Sequence, residues 1–205
     1  FLLASLKELA PHCRFYFAGS SEMFGHAATS PQDESTEFNP RSIYGISKLA
    51  AYHLVRNYRQ NHGMFACAGI LYNHESPRRG FEFVTRKITS AVARIHLGRA
   101  ATIELGNIDA RRDWGYAPDY VDAIHRILRH EAPDDFVIAT STLHSVRDVL
   151  ERAFAVVGRN YRDHLRFNPE YFRPDEAVPL CGNYAKARRL LGWAPTRKLG
   201  DIVDE

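Results

Sequence analysis

The chain has 205 residues, 45% hydrophobic and 12% aromatic, with a formal net charge of +3. That is enough apolar material for a packed core, which excludes a disordered chain. No stretch of ~18 apolar residues exists to form a membrane-spanning helix, and no basic run or aromatic–basic interleaving marks a nucleic-acid module.

In chain order, FLLASLKEL reads as an amphipathic helix over residues 1–9, without the basic region or cleavage site of a leader. A start in mid-helix without Met suggests a piece of a longer chain. Arg14 to Gly19 is an aromatic-rich strand that stops abruptly at Ser20, Ser21 and Glu22, and residues 25–41 are loop, with Pro31 and Asn39-Pro40. From Ser42 to Asn61, Ile43, Leu49, Ala50, Leu54, Val55 and Tyr58 recur at helical spacing, and His62-Gly63 stops the helix. Phe65 to Leu71 is a continuous apolar run, as in a strand buried on both faces. The polar stretch Asn73 to Gly80 predicts a loop.

Helices are predicted over Phe83–Leu97, ended by Gly98, over Pro118–His130 with Asp119 in the first turn, over Ser145–Val157 with Ser145 as cap, and over Tyr184–Leu191 before Gly192. Strands are predicted at Thr102–Leu105 and Phe136–Ala139, and residues 159–182 as irregular. This alternation predicts an α/β fold: a partial Rossmann-like parallel sheet with a smaller mixed α/β substrate-binding domain. The division expected is residues 1–80 for the first and mainly 81–205 for the second, with the helix over 118–131 packing back on the first.

Three cysteines, Cys13, Cys67 and Cys181, are odd in number and far apart. They read as buried free thiols in a reducing cytoplasm, with neither disulfide nor metal spacing. His74-Glu75 does not begin a zinc site, because a second histidine is missing and Pro77 interrupts any helix. Of 27 basic residues, 22 are arginine, and Arg78-Arg79, Arg111-Arg112 and Arg188-Arg189 are paired. Arginine suits bidentate contact with phosphate, although solvated surface charge accounts for such pairs equally simply.

Tyr44 and Lys48 stand at i and i+4 and so share one helical face. An ammonium beside a phenol favours the phenolate, which can take a proton from a hydroxyl while hydride leaves the same carbon. Ligands of open parallel sheets bind beyond the carboxyl ends of strands. Ser20 and Glu22 follow one predicted strand and Asn73-His74 the next, so all of these can meet at one edge of the sheet.

In this order, GSSEMFG, YGISK, GILYNHESPRRG, FVTRKI, LGNIDARRDWGYAPDYV and FVIAT resemble the GDP-mannose 4,6-dehydratase family of extended short-chain dehydrogenases/reductases, from about Phe15 to Trp193. The resemblance implies a lyase with tightly held NADP and no net redox change, acting on GDP-mannose. It implies that Tyr44 is base at the sugar 4-hydroxyl, Ser20 binds the 4-oxygen, Glu22 removes the C5 proton before water leaves C6, and Lys48 binds the nicotinamide ribose. It further implies cofactor contacts from His74 and Arg79, and GDP contacts from Asn73, Lys87, Asn107, Arg112, Arg173 and Glu176. A homodimer or homotetramer, with no nucleic acid, membrane or metal, is also implied.

Ser20 stands where the family usually has threonine, and Phe24 where it commonly has tyrosine. The family's Gly-rich dinucleotide turn does not precede Phe15, so the chain is expected to be a C-terminal portion that by itself binds NADP weakly. Two alternatives stay open: another nucleotide-sugar dehydratase, epimerase or reductase of the superfamily, or a non-catalytic sugar-nucleotide-binding module. The Ser21-Glu22 pair bears on the first, since dTDP-glucose dehydratases carry Asp-Glu there and simple epimerases lack the carboxylate.

Overall fold

The computed structural model describes residues 1–172 and 179–205. Its centre is a parallel sheet of three strands in the order β1 (Phe15–Ser20), β2 (Ala66–Leu71), β6 (Asp135–Ile138). All six residues of β2 are buried. Successive strand residues face opposite sides, so Ala68 and Ile70 pack with Val137 on one face while Cys67 and Leu71 pack with Phe136 and Ile138 on the other.

The first face is covered by helix α2 (Ile43–His62), through Tyr52 and Val55. Ser42 caps it, its hydroxyl oxygen accepting from the Gly45 amide at 3.0 Å, and Gly63 ends it at φ 63°, a left-handed conformation open to glycine. The short helix α1 (Leu2–Leu9) lies against α2. The second face is covered by α4 (Ala117–Arg129), whose Tyr120, Ala123 and Ile127 meet β2 and β6, and by α6 (Ala185–Leu191) with Trp193. Both β6 and α6 therefore stand with the first sheet, although they fall after residue 80 in the chain.

A second core gathers α3 (Val84–His96), α5 (Val146–Val156) and α7 (Leu199–Asp204) around β4 (Ile103–Leu105) and Trp114. Ser145 and Asp148 form a capping box at the start of α5, worth about 1 kcal/mol. A mixed sheet in the order β3 (Asn73–Glu75), β5 (Arg111–Tyr116), β7 (Leu143–Ser145) borders this core, and β4 pairs in parallel with β8 (Leu165–Phe167).

Two strands correct the sequence reading and two more add to it. Residues 73–75 are strand rather than loop, β5 and β7 carry no period-2 apolar signal, and the stretch 159–182 holds β8 flanked by 3-10 turns at Tyr161–Asp163 and Pro169–Tyr171. Each is a short or polar segment whose ladder partner is distant in sequence, so pairing rather than local pattern makes it a strand. The thiol expectation also needs one correction: Cys67 and Cys181 are buried but Cys13 is exposed, and none is in a disulfide. Among the described residues no helix is long and apolar enough to cross a membrane.

The loop over residues 25–41 is tied down by Gln32, which has no exposed surface. Its Nε2 donates to the Thr29 and Pro179 carbonyls, and its Oε1 accepts from the Tyr72 hydroxyl and the Cys181 amide.

Candidate active site

At the carboxyl end of β1 the chain turns through one 3-10 turn, Ser21–Met23, whose Met23 and the following Phe24 are fully buried. This anchorage holds Glu22 half-buried at the edge of the sheet. The Ser20 hydroxyl oxygen caps the turn, accepting from the Glu22 amide at 3.2 Å, which leaves its O–H proton for another partner. The Glu22 carboxylate makes no hydrogen bond among the described residues.

The first turn of α2 lies directly against this 3-10 turn. A Cβ on Gly45 would sit 2.5 Å from the Glu22 carbonyl oxygen, so only glycine lets the two backbones meet there. The flanking Tyr44 is consequently held beside the Ser20–Glu22 corner, 53% exposed. One turn on, Lys48 donates to the Ala18 carbonyl at 3.0 Å, and its ammonium lies 5.6 Å from the centre of the Tyr44 ring.

Beyond β2 the chain continues into β3. His74 Nδ1 lies 2.9 Å from the Tyr72 carbonyl, and because a carbonyl only accepts, Nδ1 carries the proton and Nε2 is left as acceptor. Its ring packs on Tyr120, centroids 4.9 Å apart. Burial pushes the His74 pKa down, opposed by the Tyr72 hydrogen bond and reinforced by the Arg79 charge, so the ring is neutral at pH 7. Buried Glu75 accepts from the Thr85 hydroxyl and pairs with Arg79 Nε at 3.3 Å. Burial raises the Glu75 pKa against those two contacts. The Arg79 guanidinium also stacks over Phe83, 3.5 Å from the ring centre.

A cavity of about 510 Å³ opens between the two cores, bordered by Glu22, Asn73, Arg79, Lys87, Asn107 and Arg112 among others. It is large enough for a drug-sized or nucleotide ligand. Six residues singled out in the sequence thus border one cavity, although they come from five separate segments of the chain. Lys87 reaches it from α3, with its ammonium 3.9 Å above the Tyr171 ring. Asn107 follows β4 and its Oδ1 accepts from the Asp109 amide at 3.0 Å; Arg112 lies on β5. Ser20, Tyr44, Lys48 and His74 border the sheet end next to this wall rather than the cavity itself. Arg173 and Glu176 lie outside the described residues.

Glu75, Thr85, Trp114, Glu170 and Tyr171, none of them a candidate from the sequence, line the same cavity. In the sequence Glu75 stands out only through the His-Glu pair that fails as a zinc motif. Tyr171 carries no local signal, since it reaches Lys87 from a turn 84 positions away.

A family model described as GDP-mannose 4,6 dehydratase matches residues 1–205. GDP-mannose 4,6 dehydratase 1 of Arabidopsis thaliana is 52% identical over 182 residues, covering 89% of this chain and 50% of the relative. The GDP-mannose 4,6 dehydratase of Homo sapiens is 43% identical over 209 residues, covering 94% of this chain and 56% of the relative. The structure of RMD from Pseudomonas aeruginosa complexed with NADPH superposes with a TM-score of 0.91 at 25% identity, covering 99% of this chain and 68% of that one. A dTDP-glucose 4,6-dehydratase from Bacillus anthracis shares the fold alone, at a TM-score of 0.86 and 19% identity. The chain spans about half the length of the curated relatives it matches. With a family model matched from end to end, and with the sheet, the Tyr44–Lys48 helix and the cavity wall assembled as described, this chain belongs to the GDP-mannose 4,6-dehydratase family.

Proposed function

We propose that the protein carrying this chain is an NADP-dependent GDP-mannose 4,6-dehydratase that forms GDP-4-dehydro-6-deoxy-mannose. The observation that carries this reading is Glu22: a carboxylate without a hydrogen-bond partner among the described residues, set at the sheet end next to Tyr44 and facing a cavity walled by Asn73, Lys87, Asn107 and Arg112. Lys87, Arg112 and the side-chain amides supply the donors that a nucleoside diphosphate needs, and in this reading Arg173 and Glu176 complete its binding.

Tyr44 and Lys48 suit the nicotinamide ribose. The Lys48 ammonium has three N–H donors and spends one on Ala18, and the Tyr44 phenol is accessible. His74 and Arg79 would contact the same cofactor, which supplies a hydride acceptor and donor when bound. The chain's own residues then divide the proton transfers. Tyr44 Oη takes the proton of the sugar 4-hydroxyl while Ser20 donates to that oxygen. The resulting ketone acidifies C5–H; Glu22 takes that proton and passes it to the departing C6 hydroxyl, which leaves as water, and after hydride has returned to C6 the same carboxyl group delivers a solvent-derived proton to C5.

The exposed apolar residues Ile43, Ile46 and Leu54 on α2, between 54% and 89% exposed, support a homodimer or homotetramer. Free Cys67 and Cys181 support a cytoplasmic location.

Incubation of the purified protein with GDP-mannose, followed by mass analysis, tests the reaction. Loss of one water with the C6 hydroxyl is the expected product. Glu22→Gln retains cofactor binding but loses solvent exchange at C5, whereas Tyr44→Phe stops the reaction before that exchange. A product that keeps its C6 hydroxyl, or full turnover by Glu22→Gln, overturns the proposal.

A further inference from the structure

Asp113 has no exposed surface and sits in the middle of β5, between Arg112 and Trp114 of the cavity wall. Neighbouring strand residues face opposite ways, so Arg112 reaches the cavity while Asp113 turns into the protein. Four donors converge on its carboxylate. Oδ1 accepts from the Thr140 amide at 2.9 Å and the Thr140 hydroxyl at 2.6 Å; Oδ2 accepts from the Ser141 amide at 3.0 Å and the Gly182 amide at 3.2 Å.

Its backbone carbonyl faces the Asn73 side chain, whose Nδ2 donates at 3.5 Å. Ser141 holds φ 59°, the left-handed region that a non-glycine residue adopts at a cost, and its hydroxyl donates to the Gly182 carbonyl at 2.6 Å. A conformation of that kind persists where surrounding contacts over-determine it, and such sites cluster around function. Here the contacts that hold it run through Asp113.

We propose that Asp113 is a positioning residue for the nucleotide-sugar site: it pins β5 to the Thr140–Ser141 turn and to Gly182, and so sets where Arg112 and Asn73 enter the cavity. The inference rests on the reading that those two residues bind the GDP portion. It adds a residue that touches no ligand. Asparagine at 113 keeps the shape but, in either orientation of its amide, places an NH2 group against at least one backbone N–H donor, that of Thr140 or those of Ser141 and Gly182, so one side of the clamp opens.

Isothermal titration of the purified protein with GDP tests this, together with a double-mutant cycle. Asp113→Asn weakens GDP binding about 10-fold while the protein remains folded, in keeping with coupling energies inside one hydrogen-bonded network. Arg112→Ala also weakens binding, and adding Asp113→Asn to it costs less than the 10-fold seen alone, because the two act through one arm. A merely structural role would leave the two effects to multiply in full, and that result overturns the inference. GDP affinity unchanged in Asp113→Asn overturns it as well. If Asp113→Asn does not fold, Thr140→Val decides, since it removes one of the four donors and keeps the shape; about 3-fold weaker binding is expected, and wild-type affinity refutes the clamp. Wild-type protein that fails to bind GDP removes the reading of the site and this inference with it, whereas normal wild-type binding with a silent Asp113→Asn removes the inference alone.

Discussion

Gly45→Ala probes how closely α2 must approach the Glu22 corner. The added methyl would lie 2.5 Å from the Glu22 carbonyl oxygen and 3.1 Å from Pro40 Cβ, short of ordinary contact with that oxygen by about 0.9 Å. The obstacle is backbone, so it cannot swing aside as a side-chain tip would. Two effects compete in stability. Alanine is favoured over glycine in a helix by at most about 1 kcal/mol, whereas overpacking of this kind costs about 1–3 kcal/mol. The net cost is about 0–2 kcal/mol, a fall in Tm of at most a few degrees for a chain of this size.

Activity responds far more, because relief of the overlap moves Glu22 and Tyr44 apart by most of an ångström, and a displacement of about 1 Å costs about 100-fold in rate. The assay is conversion of GDP-mannose alongside a thermal melt and near-ultraviolet circular dichroism. The signature expected is a large loss of kcat with a small loss of Tm. Full turnover in Gly45→Ala, or a rate loss no greater than the unfolded fraction, would refute the positional argument.

Two further outcomes test other parts of the fold. Asp135 is buried at the start of β6, bidentate to Arg59 at 2.6 and 2.8 Å and hydrogen-bonded by the Tyr52 hydroxyl at 2.9 Å, so it locks α2 to the sheet. Asp135→Asn removes the carboxylate charge and one of the two acceptors facing the guanidinium, which keeps the Ala66 carbonyl, and is expected to cost about 3 kcal/mol in a urea melt; a loss below about 1 kcal/mol would show that α2 is held by apolar packing alone. His74 titrates below its ordinary value of 6.5 because burial opposes its charge. The unfolded chain therefore binds a proton that the folded chain refuses, so this contribution to stability is complete above pH 6.5 and is lost as pH falls toward the depressed folded pKa. His74→Gln should flatten that part of the Tm profile between pH 7.5 and 5.5, and an unchanged profile would place the ring's proton elsewhere.

Much of the frame is legible in residue order. The uninterrupted apolar run of β2 and the helical spacing from Ile43 to Tyr58 are local patterns, and the helix bounds set by Ser42 and Gly63 follow from backbone chemistry at single residues. The strands β3, β5, β7 and β8 are not legible in this way. Arg111, Arg112 and Asp113 carry no apolar alternation, and they form a strand because Asn73–Glu75 and Leu143–Ser145 lie on either side of β5.

The same division holds for the site. Glu22, Tyr44 and Lys48 are recognisable from residue type and spacing, since a carboxylate after an apolar strand and a Tyr–Lys pair on one helical face are local facts. That Glu22 shares a cavity with Lys87, Asn107 and Arg112, that Gly45 brings α2 onto the Glu22 carbonyl, and that Asp113 gathers four donors from Thr140, Ser141 and Gly182 are matters of tertiary structure alone. Local sequence specifies backbone preference and which face is apolar. The convergence of charged and polar groups depends on long-range packing of two cores, which no window of neighbouring residues encodes.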